Sequence, residues 1–272
     1  MKHYSTSPIE MIASLLRHRG LLRMMVRREV AGRYRGSFLG MVWSLFNPLI
    51  MLAVYTFVFS VVFAARWGGH DGSTMEFGLI LFAGLMVFNI FSECFGRAPS
   101  LVLDNVNYVK KVVFPLEILP VVVLGAALFH LIVSLVVWLV AHGVLIGAPP
   151  VTALWFPVIL FPLCLFIMGL CWVVASLGVY LRDVSQIVGI LTTVMLFMSA
   201  IFYPVSALPE TYHTIIRLNP LVLPIEMVRD AIYFGHAPGL RVLGLYTLGT
   251  GAAAWFGFAW FQLTRRGFAD AL

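Results

Sequence analysis

Charged side chains are scarce in this chain: they make up only 11% of its 272 residues, whereas about a quarter is usual in soluble proteins. So few charges cannot cover the surface of a soluble domain of this length. Hydrophobic residues instead make up 61%, which excludes a disordered chain. The composition therefore predicts an integral membrane protein with most of its length in lipid.

Several motifs that carry chemistry are missing. The sequence has no GxxxxGK[ST] motif and no Gly-Lys dipeptide, so the chain cannot hold a nucleotide in a P-loop. It has no HExxH motif, no His/Cys cluster with metal-ligand spacing, and no CxxC pair among its three cysteines. We therefore expect no metal site and no cofactor in this chain. The net charge of +6 is attributed to basic loops rather than to nucleic-acid binding.

Six apolar stretches reach the length of about 20 residues that a helix needs to cross the hydrocarbon. They lie near residues 39–65, 77–95, 117–141, 152–179, 186–204 and 242–262. Their apolar runs are continuous rather than alternating, which favours helices over strands. The predicted fold is an all-α membrane protein with one transmembrane domain over residues 37–272.

Two further segments are amphipathic. Residues 1–36 combine apolar positions with many arginines, and Ser7-Pro8 is a helix start signal, so this segment predicts a basic helix in the cytoplasmic membrane interface. Residues 205–241 form the longest external segment. Within it, LVLPIEMVRDAIYF (221–234) is too polar to span, and it predicts short re-entrant helices that dip into the outer leaflet.

The distribution of Lys and Arg predicts the orientation. With the N-terminus in the cytoplasm, 14 of the 18 basic residues lie on the inner side, and the outer side holds only four, which are Arg66, Arg217, Arg229 and Arg241. Basic residues accumulate on the cytoplasmic side of membrane proteins. Both termini are therefore predicted to be cytoplasmic.

Charged residues inside the spans are almost absent, which bears on the energy source. Ion-coupled carriers place ionisable groups near the bilayer midplane. Here only Glu93 and Glu117 come close, near the cytoplasmic ends of spans two and three, and we interpret both as solvated anchors. Without an ion relay or a P-loop, a pump built on this chain needs a separate motor docked on its cytoplasmic loops.

Two sets of residues are candidates for substrate binding. Aromatic side chains crowd spans one and five, where they either face lipid or stack on sugar rings along a path; they are Trp43, Phe46, Tyr55, Phe59, Phe197, Phe202 and Tyr203. In the junction GRYRGS, Arg33 and Arg35 lie between glycines. They are either ordinary membrane anchors or a grip for an anionic headgroup.

Four stretches resemble the permease subunits of polysaccharide-exporting ABC transporters. The stretches are RREVAGRYRGSFLGMVWSLFNPLIMLAVYTFVFSVVF (27–63), NYVKKVVFPLEILP (107–120), YLRDVSQIVGILTTVMLFMSAIFYPVSALP (180–209) and LNPLVLPIEMVRD (218–230). The resemblance implies a homodimer in the bacterial inner membrane that works with two copies of an ATPase subunit, which binds the ATP and Mg²⁺. It also implies export of O-antigen, capsule or teichoic acid chains linked to a lipid diphosphate.

The resemblance assigns expected roles to particular residues. It implies that Arg33 and Arg35, with Tyr34 and Gly36, bind the lipid diphosphate. It implies that the 98–111 and 181–185 loops contact the ATPase through Asp104, Lys110, Lys111, Arg182 and Asp183, and that 205–234 forms periplasmic gate helices. Two alternatives are a drug or lipid exporter permease of the same superfamily and a membrane glycosyltransferase or acyltransferase. The last would need an acidic or histidine cluster, which the sequence does not suggest.

Overall fold

The computed structural model describes residues 5–62, 67, 74–110 and 114–272, and all regular structure in these ranges is helical. The α-helices are α1 (Pro8–Arg17), α2 (Arg19–Tyr34), α3 (Trp43–Tyr55), α4 (Thr74–Arg97), α5 (Val106–Lys110), α6 (Leu119–Leu145), α7 (Phe156–Tyr180), α8 (Val184–Met198), α9 (Glu210–Arg217), α10 (Val222–Arg229), α11 (Leu240–Thr264) and α12 (Phe268–Ala271). A π-helical turn, Thr56–Val62, continues α3. Short 3₁₀ turns lengthen several other helices.

Five helical stretches in the described ranges are long and apolar enough to cross a membrane. They are Gly40–Phe59, Met75–Ser100, Leu116–Leu145, Val151–Tyr180 and Leu240–Ala271. They correspond to five of the six predicted spans, although the end of the first prediction, 63–65, lies outside the described residues. The remaining prediction, 186–204, corresponds to α8, which has only 15 residues.

The N-terminal segment forms two helices rather than one. The Ser7 hydroxyl accepts a hydrogen bond from the backbone N–H of Glu10 at 3.1 Å, and Pro8 occupies the first turn, which confirms the predicted start. The helix breaks at His18, where φ is −99° and ψ is 15°. The indole N–H of Trp255 in α11 bonds to the carbonyl of Thr6 at 3.0 Å. α1 is therefore held against the spans.

Glu117 is buried, so the interpretation of this residue as a solvated anchor is wrong. It is 6% exposed, and its Oε2 accepts a hydrogen bond from Arg265 at 2.6 Å while its Oε1 accepts one from the Ser14 hydroxyl at 2.7 Å. Arg265 also donates to the carbonyl of Phe114 at 2.6 Å. This ion pair joins α1, the start of α6 and the end of α11. Removing Arg265 would leave the buried carboxylate of Glu117 without its cation.

Small residues allow close packing between α7 and α11. A Cβ atom on Gly169 would overlap the backbone around Ala253, and a Cβ atom on Gly257 would overlap the backbone of Gly169. Helices in membranes gain stability from such close approach, because lipid offers no hydrophobic drive for their association.

The end of α8 is capped by one side chain from α10 and one from the turn between α9 and α10. A helix end leaves backbone carbonyls without partners, and lipid cannot supply them. Here the Asn219 amide donates to the carbonyl of Met198 at 3.1 Å, and Arg229 donates to the carbonyls of Ala200 at 2.7 Å and Ile201 at 2.5 Å. These bonds let α8 end after 15 residues.

Arg229 also ties this end of the molecule to α4. Its Nε donates to the carbonyl of Ile80 at 3.1 Å, and its guanidinium lies 4.4 Å from the centre of the Trp67 ring. Gly84 leaves the space for the guanidinium, since a Cβ atom there would overlap it. Arg229 is 2% exposed, and burial lowers its pKa to about 9. The side chain therefore stays charged at neutral pH.

Candidate functional site

A polar cavity of about 680 Å³ opens between α2, α3, α4 and α6. Cavities of this volume accommodate a ligand of a few sugar rings or a drug-sized molecule. Apolar side chains supply part of the wall, and the polar and aromatic lining is Arg33, Tyr34, Trp43, Ser44, Asn47, Tyr55, Phe82, Asn89, Ser92, Glu93, Arg97, His130 and Ser134. The cavity is therefore far more polar than the helices that form it.

Two amide side chains in this wall are free to bind a ligand. Asn47 in α3 and Asn89 in α4 are both exposed, and no hydrogen bond joins either amide to the described part of the chain. Each amide offers two donors and an acceptor. The rings of Trp43 and Tyr55 lie in the same wall. This combination of amides and aromatic faces suits a hydroxyl-rich ligand.

A set of charged side chains lies at one end of the polar cavity and lines a second cavity of about 420 Å³. We call this set the charged vestibule; its members are Arg28, Glu29, Arg33, Glu93, Arg97 and His130. Arg33 donates to Glu93 at 2.6 Å, and Arg97 bonds to Glu29 at 2.6 Å. His130 Nδ1 lies 3.0 Å from the other oxygen of Glu93 and 2.9 Å from Arg33. Three arginines against two glutamates make the vestibule cationic.

The junction that follows α2 divides the four residues expected to bind the lipid diphosphate. Arg33 and Tyr34 line the polar cavity, whereas Arg35 and Gly36 are exposed and do not line it. Burial raises the pKa of Tyr34, against the opposing effect of Arg33, so its hydroxyl remains a hydrogen-bond donor. Gly36 has a φ of +83°, a backbone conformation that favours glycine and that turns the chain from α2 toward α3.

The seven aromatic candidates fall into two groups. Trp43 and Tyr55 line the polar cavity, and Phe46 contacts the Trp43 ring with ring centres 6.3 Å apart. The other four lie near the ends of α3 and α8. There the ring of Phe202 stacks on that of Phe59, with centres 5.3 Å apart, and contacts that of Phe197; the Tyr203 hydroxyl donates to the Phe197 carbonyl.

Comparison with known proteins assigns the chain to a family. The family model described as "ABC-2 type transporter" matches residues 20–233, which is well over half of the chain. The chain belongs to the ABC-2 type transporter membrane family. It is a multi-pass inner membrane protein and a permease subunit, and the ATPase of such a transporter is a separate subunit.

Three relatives of this ABC-2 permease carry informative names. It is 29% identical to the O-antigen export system permease protein RfbA of Myxococcus xanthus over 267 residues, which cover 97% of this chain and 100% of the relative. It is 26% identical to a protein of the same name from Klebsiella pneumoniae, over 79% of this chain and 81% of the relative. It is 23% identical to the polysialic acid transport protein KpsM of Escherichia coli, over 82% and 86%.

The two loops of the ABC-2 permease that are predicted to contact the ATPase lie side by side. The 3₁₀ turn Ala98–Ser100 packs against α7 and α8, and a Cβ atom on Gly178 would overlap the backbone of Pro99. The predicted contact residues in the described ranges are exposed; they are Asp104, Lys110, Arg182 and Asp183. The fifth, Lys111, lies outside the described residues.

The first of these loops is linked to the charged vestibule. Arg28 donates to the hydroxyl of Tyr108 in α5 at 3.2 Å, and the ring of Tyr108 stacks on that of Phe114 with centres 4.4 Å apart. Phe114 in turn contributes its carbonyl to Arg265. These contacts would therefore transmit a movement of α5 to α2 and to the end of α11.

Sequence reasoning missed much of the site's chemistry. It singled out neither of the amides, Asn47 and Asn89, nor Arg97, and it interpreted Glu93 as a solvated anchor, whereas Glu93 is half-buried and ion-paired. Spacing alone offered one signal: Glu29 and Arg33 are four residues apart on α2, as are Glu93 and Arg97 on α4. Residues four apart share a helix face.

Proposed function

We propose that this ABC-2 permease exports a polysaccharide linked to a lipid diphosphate, with O-antigen as the first expectation. ATP hydrolysis on two copies of a separate ATPase subunit would drive the export, and ATP and Mg²⁺ would bind there and not to this chain. The names of the relatives support this substrate, because O-antigen permeases match at 29% and 26% identity over most of the chain.

The polar cavity is the observation that carries the proposal. A drug or lipid exporter needs apolar walls, but this cavity presents the unbonded amides of Asn47 and Asn89 among otherwise apolar helices. Sugar hydroxyls satisfy such amides, and sugar rings stack on aromatic faces such as Trp43 and Tyr55. Because such contacts are weak and repeated, a chain can slide past them.

The lipid diphosphate would bind where α2 meets α3. Arg33 reaches the polar cavity, and Arg35 is exposed one residue before the turn at Gly36, without an ion pair in the described part of the chain. A guanidinium binds phosphate oxygens in a planar fork. Tyr34, between the two arginines, would contact the lipid or the first sugar.

The assembly that we propose is a homodimer with six spans in each chain. α8 would form the fifth span together with the residues up to Tyr203, because a helix of 15 residues rises only about 22 Å of the ~30 Å needed. Both termini would be cytoplasmic, with α1 and α2 in the interface. α9 and α10 would gate the periplasmic exit, and Asp104, Lys110, Lys111, Arg182 and Asp183 would contact the ATPase.

Arginine variants test the proposed substrate. A charge-assisted hydrogen bond contributes about 1.5–3 kcal/mol, so Arg33→Ala and Arg35→Ala should each weaken engagement of the substrate by about ten- to a hundredfold. Lysine keeps the charge but loses the fork, so Arg35→Lys should be intermediate. The measurement is surface polysaccharide at matched membrane abundance, with recovery of the ATPase in a pull-down as the control. Normal export by both alanine variants would reduce these arginines to membrane anchors.

A further inference from the structure

Helices α2 and α4 are joined by two reciprocal ion pairs in the charged vestibule. Glu29 of α2 pairs with Arg97 of α4, and Arg33 of α2 pairs with Glu93 of α4, with both distances 2.6 Å. Each helix thus contributes one anion and one cation, and both sets are four residues apart, on one helix face. The charges form a small antiparallel zipper that faces two cavities.

The cations of this zipper remain accessible, and the anions less so. The side chains of Arg33 and Arg97 are 52% and 42% exposed, whereas those of Glu93 and Glu29 are 16% and 31% exposed. A solvated ion pair adds little stability, so its carboxylate is readily replaced. A phosphoryl group carries more negative charge than a carboxylate and binds the guanidinium fork in the same bidentate way. The vestibule therefore favours phosphate over its own carboxylates.

We propose that the vestibule is a latch that phosphoryl groups open: the phosphates of the transported lipid replace Glu29 at Arg97 and Glu93 at Arg33, and so release α2 from α4. This inference rests on the proposed function, and it adds Arg97 as a headgroup ligand. The two phosphates of one headgroup would meet two arginines, Arg33 and Arg97, that line the same two cavities.

The exchange leaves no buried charge without a partner. Glu93 keeps His130, whose Nδ1 is already 3.0 Å from its Oε2. Glu29 is partly exposed on the surface of α2 and returns to water. α2 also keeps its contact with α6, where Gly125 makes room for the side chain of Val26. That contact is the point about which α2 would turn.

Opening of the latch would reach the ATPase contact. Arg28, one residue before Glu29, is hydrogen-bonded to Tyr108 in α5, and α5 belongs to the proposed coupling loop. A movement of α2 would therefore pull on α5. The latch makes ATP hydrolysis by the assembled transporter depend on a bound headgroup.

Two variants that break the same ion pair test the latch, because they should act in opposite directions. Glu29→Gln frees Arg97 and should strengthen binding of a polyprenyl diphosphate several-fold, with ATP hydrolysis raised in the absence of substrate. Arg97→Gln removes a ligand and should weaken binding about tenfold, the effect of one lost charge-assisted contact. If the pair only stabilised the fold, both variants would shift binding in the same direction.

The measurement uses the complex of this chain with its ATPase in lipid nanodiscs, with polyprenyl diphosphate as the probe and ATP hydrolysis as the second readout. Arg97→Lys, which keeps the charge, should bind with intermediate affinity and replaces Arg97→Gln if that variant does not assemble. If the wild-type complex binds the probe, but Glu29→Gln and Arg97→Gln both strengthen or both weaken that binding, the latch is wrong. If the wild type binds neither polyprenyl diphosphate nor its glycan-linked form, the proposed substrate is wrong, and the latch with it.

Discussion

Asn47 and Asn89 are the residues that most favour a binding site, rather than a packing fault, in the polar cavity. An unbonded amide inside a span is unfavourable in lipid, and in the described structure neither amide finds a protein partner. Both face a cavity large enough for a ligand. A transported glycan would supply the missing hydrogen bonds.

We therefore predict that Asn89→Leu lowers export without lowering the stability of the permease. Leucine has a similar volume and no polar group, so the thermal stability and membrane abundance of the permease should stay the same or rise. Export should fall several-fold, because one hydrogen-bonding position on the glycan path is lost. Quantifying surface polysaccharide against membrane abundance checks this.

A matched control is Val54→Ala, on the exposed part of α3 outside the polar cavity. It should leave export unchanged. If Asn89→Leu exports normally at normal abundance, this amide does not contact the glycan.

Gly84 is a single residue on which the hydrogen-bonded cap at the end of α8 depends. A Cβ atom there would overlap the Arg229 guanidinium, which three backbone carbonyls and a buried position prevent from moving. Gly84→Ala should therefore destabilise the permease by about 1–3 kcal/mol, as overpacking does.

Thermal unfolding in detergent, read beside membrane abundance, checks this prediction. Gly96→Ala on the same helix is the control, because a Cβ atom there meets nothing within 4 Å. Equal stability of the two variants would contradict the account of the cap.

At the scale of the elements, hydropathy predicted five helices that are long enough to span, because lipid requires long uninterrupted apolar runs. The predicted 186–204 stretch is longer than α8, the helix to which it corresponds. The apolar run continues to residue 204, but α8 ends at Met198, where Asn219 and Arg229 bond to the carbonyls around its end. Those two residues follow in the next segment, and nothing local in the 186–204 stretch indicates them.

The N-terminal segment and the vestibule also combine features that local sequence predicts with contacts to distant residues that it does not. The Ser7-Pro8 signal and the basic amphipathic pattern predicted a helix, since capping and periodicity are local properties. The contacts that hold α1 in place join it to distant residues, Trp255 and Glu117, which no local pattern indicates. Likewise, Arg33 stood out by its glycine neighbours, but its partner Glu93 is 60 residues away.

At the scale of the whole molecule, the short length of α8 makes topology the feature most in need of a test. With six spans both termini face the cytoplasm, and with five they face opposite sides. Single cysteines at Glu210, Asn107 and Asp270, all exposed, report the side of each segment. We predict that only the label at Glu210 reacts with an impermeant thiol reagent from outside.

The native cysteines give little background in this experiment, because Cys94 and Cys171 are buried and Cys164 is half-buried. A second label at Glu10 in α1 serves as the reference for the N-terminus. An outside-reactive Asp270 together with a protected Glu10 would mean an odd number of spans, and the six-span arrangement would be wrong.

Export itself can be measured as ATP-driven movement of a lipid-linked glycan in vesicles that contain this chain and its ATPase. With the ATPase on the outer face, ATP should carry a polyprenyl-diphosphate glycan into the lumen, where an added glycosidase cannot reach it. We predict that protection requires ATP, both subunits and the diphosphate-linked glycan, and that it falls in the Arg33→Ala variant. ATP hydrolysis that leaves the glycan fully accessible to the glycosidase would contradict the account.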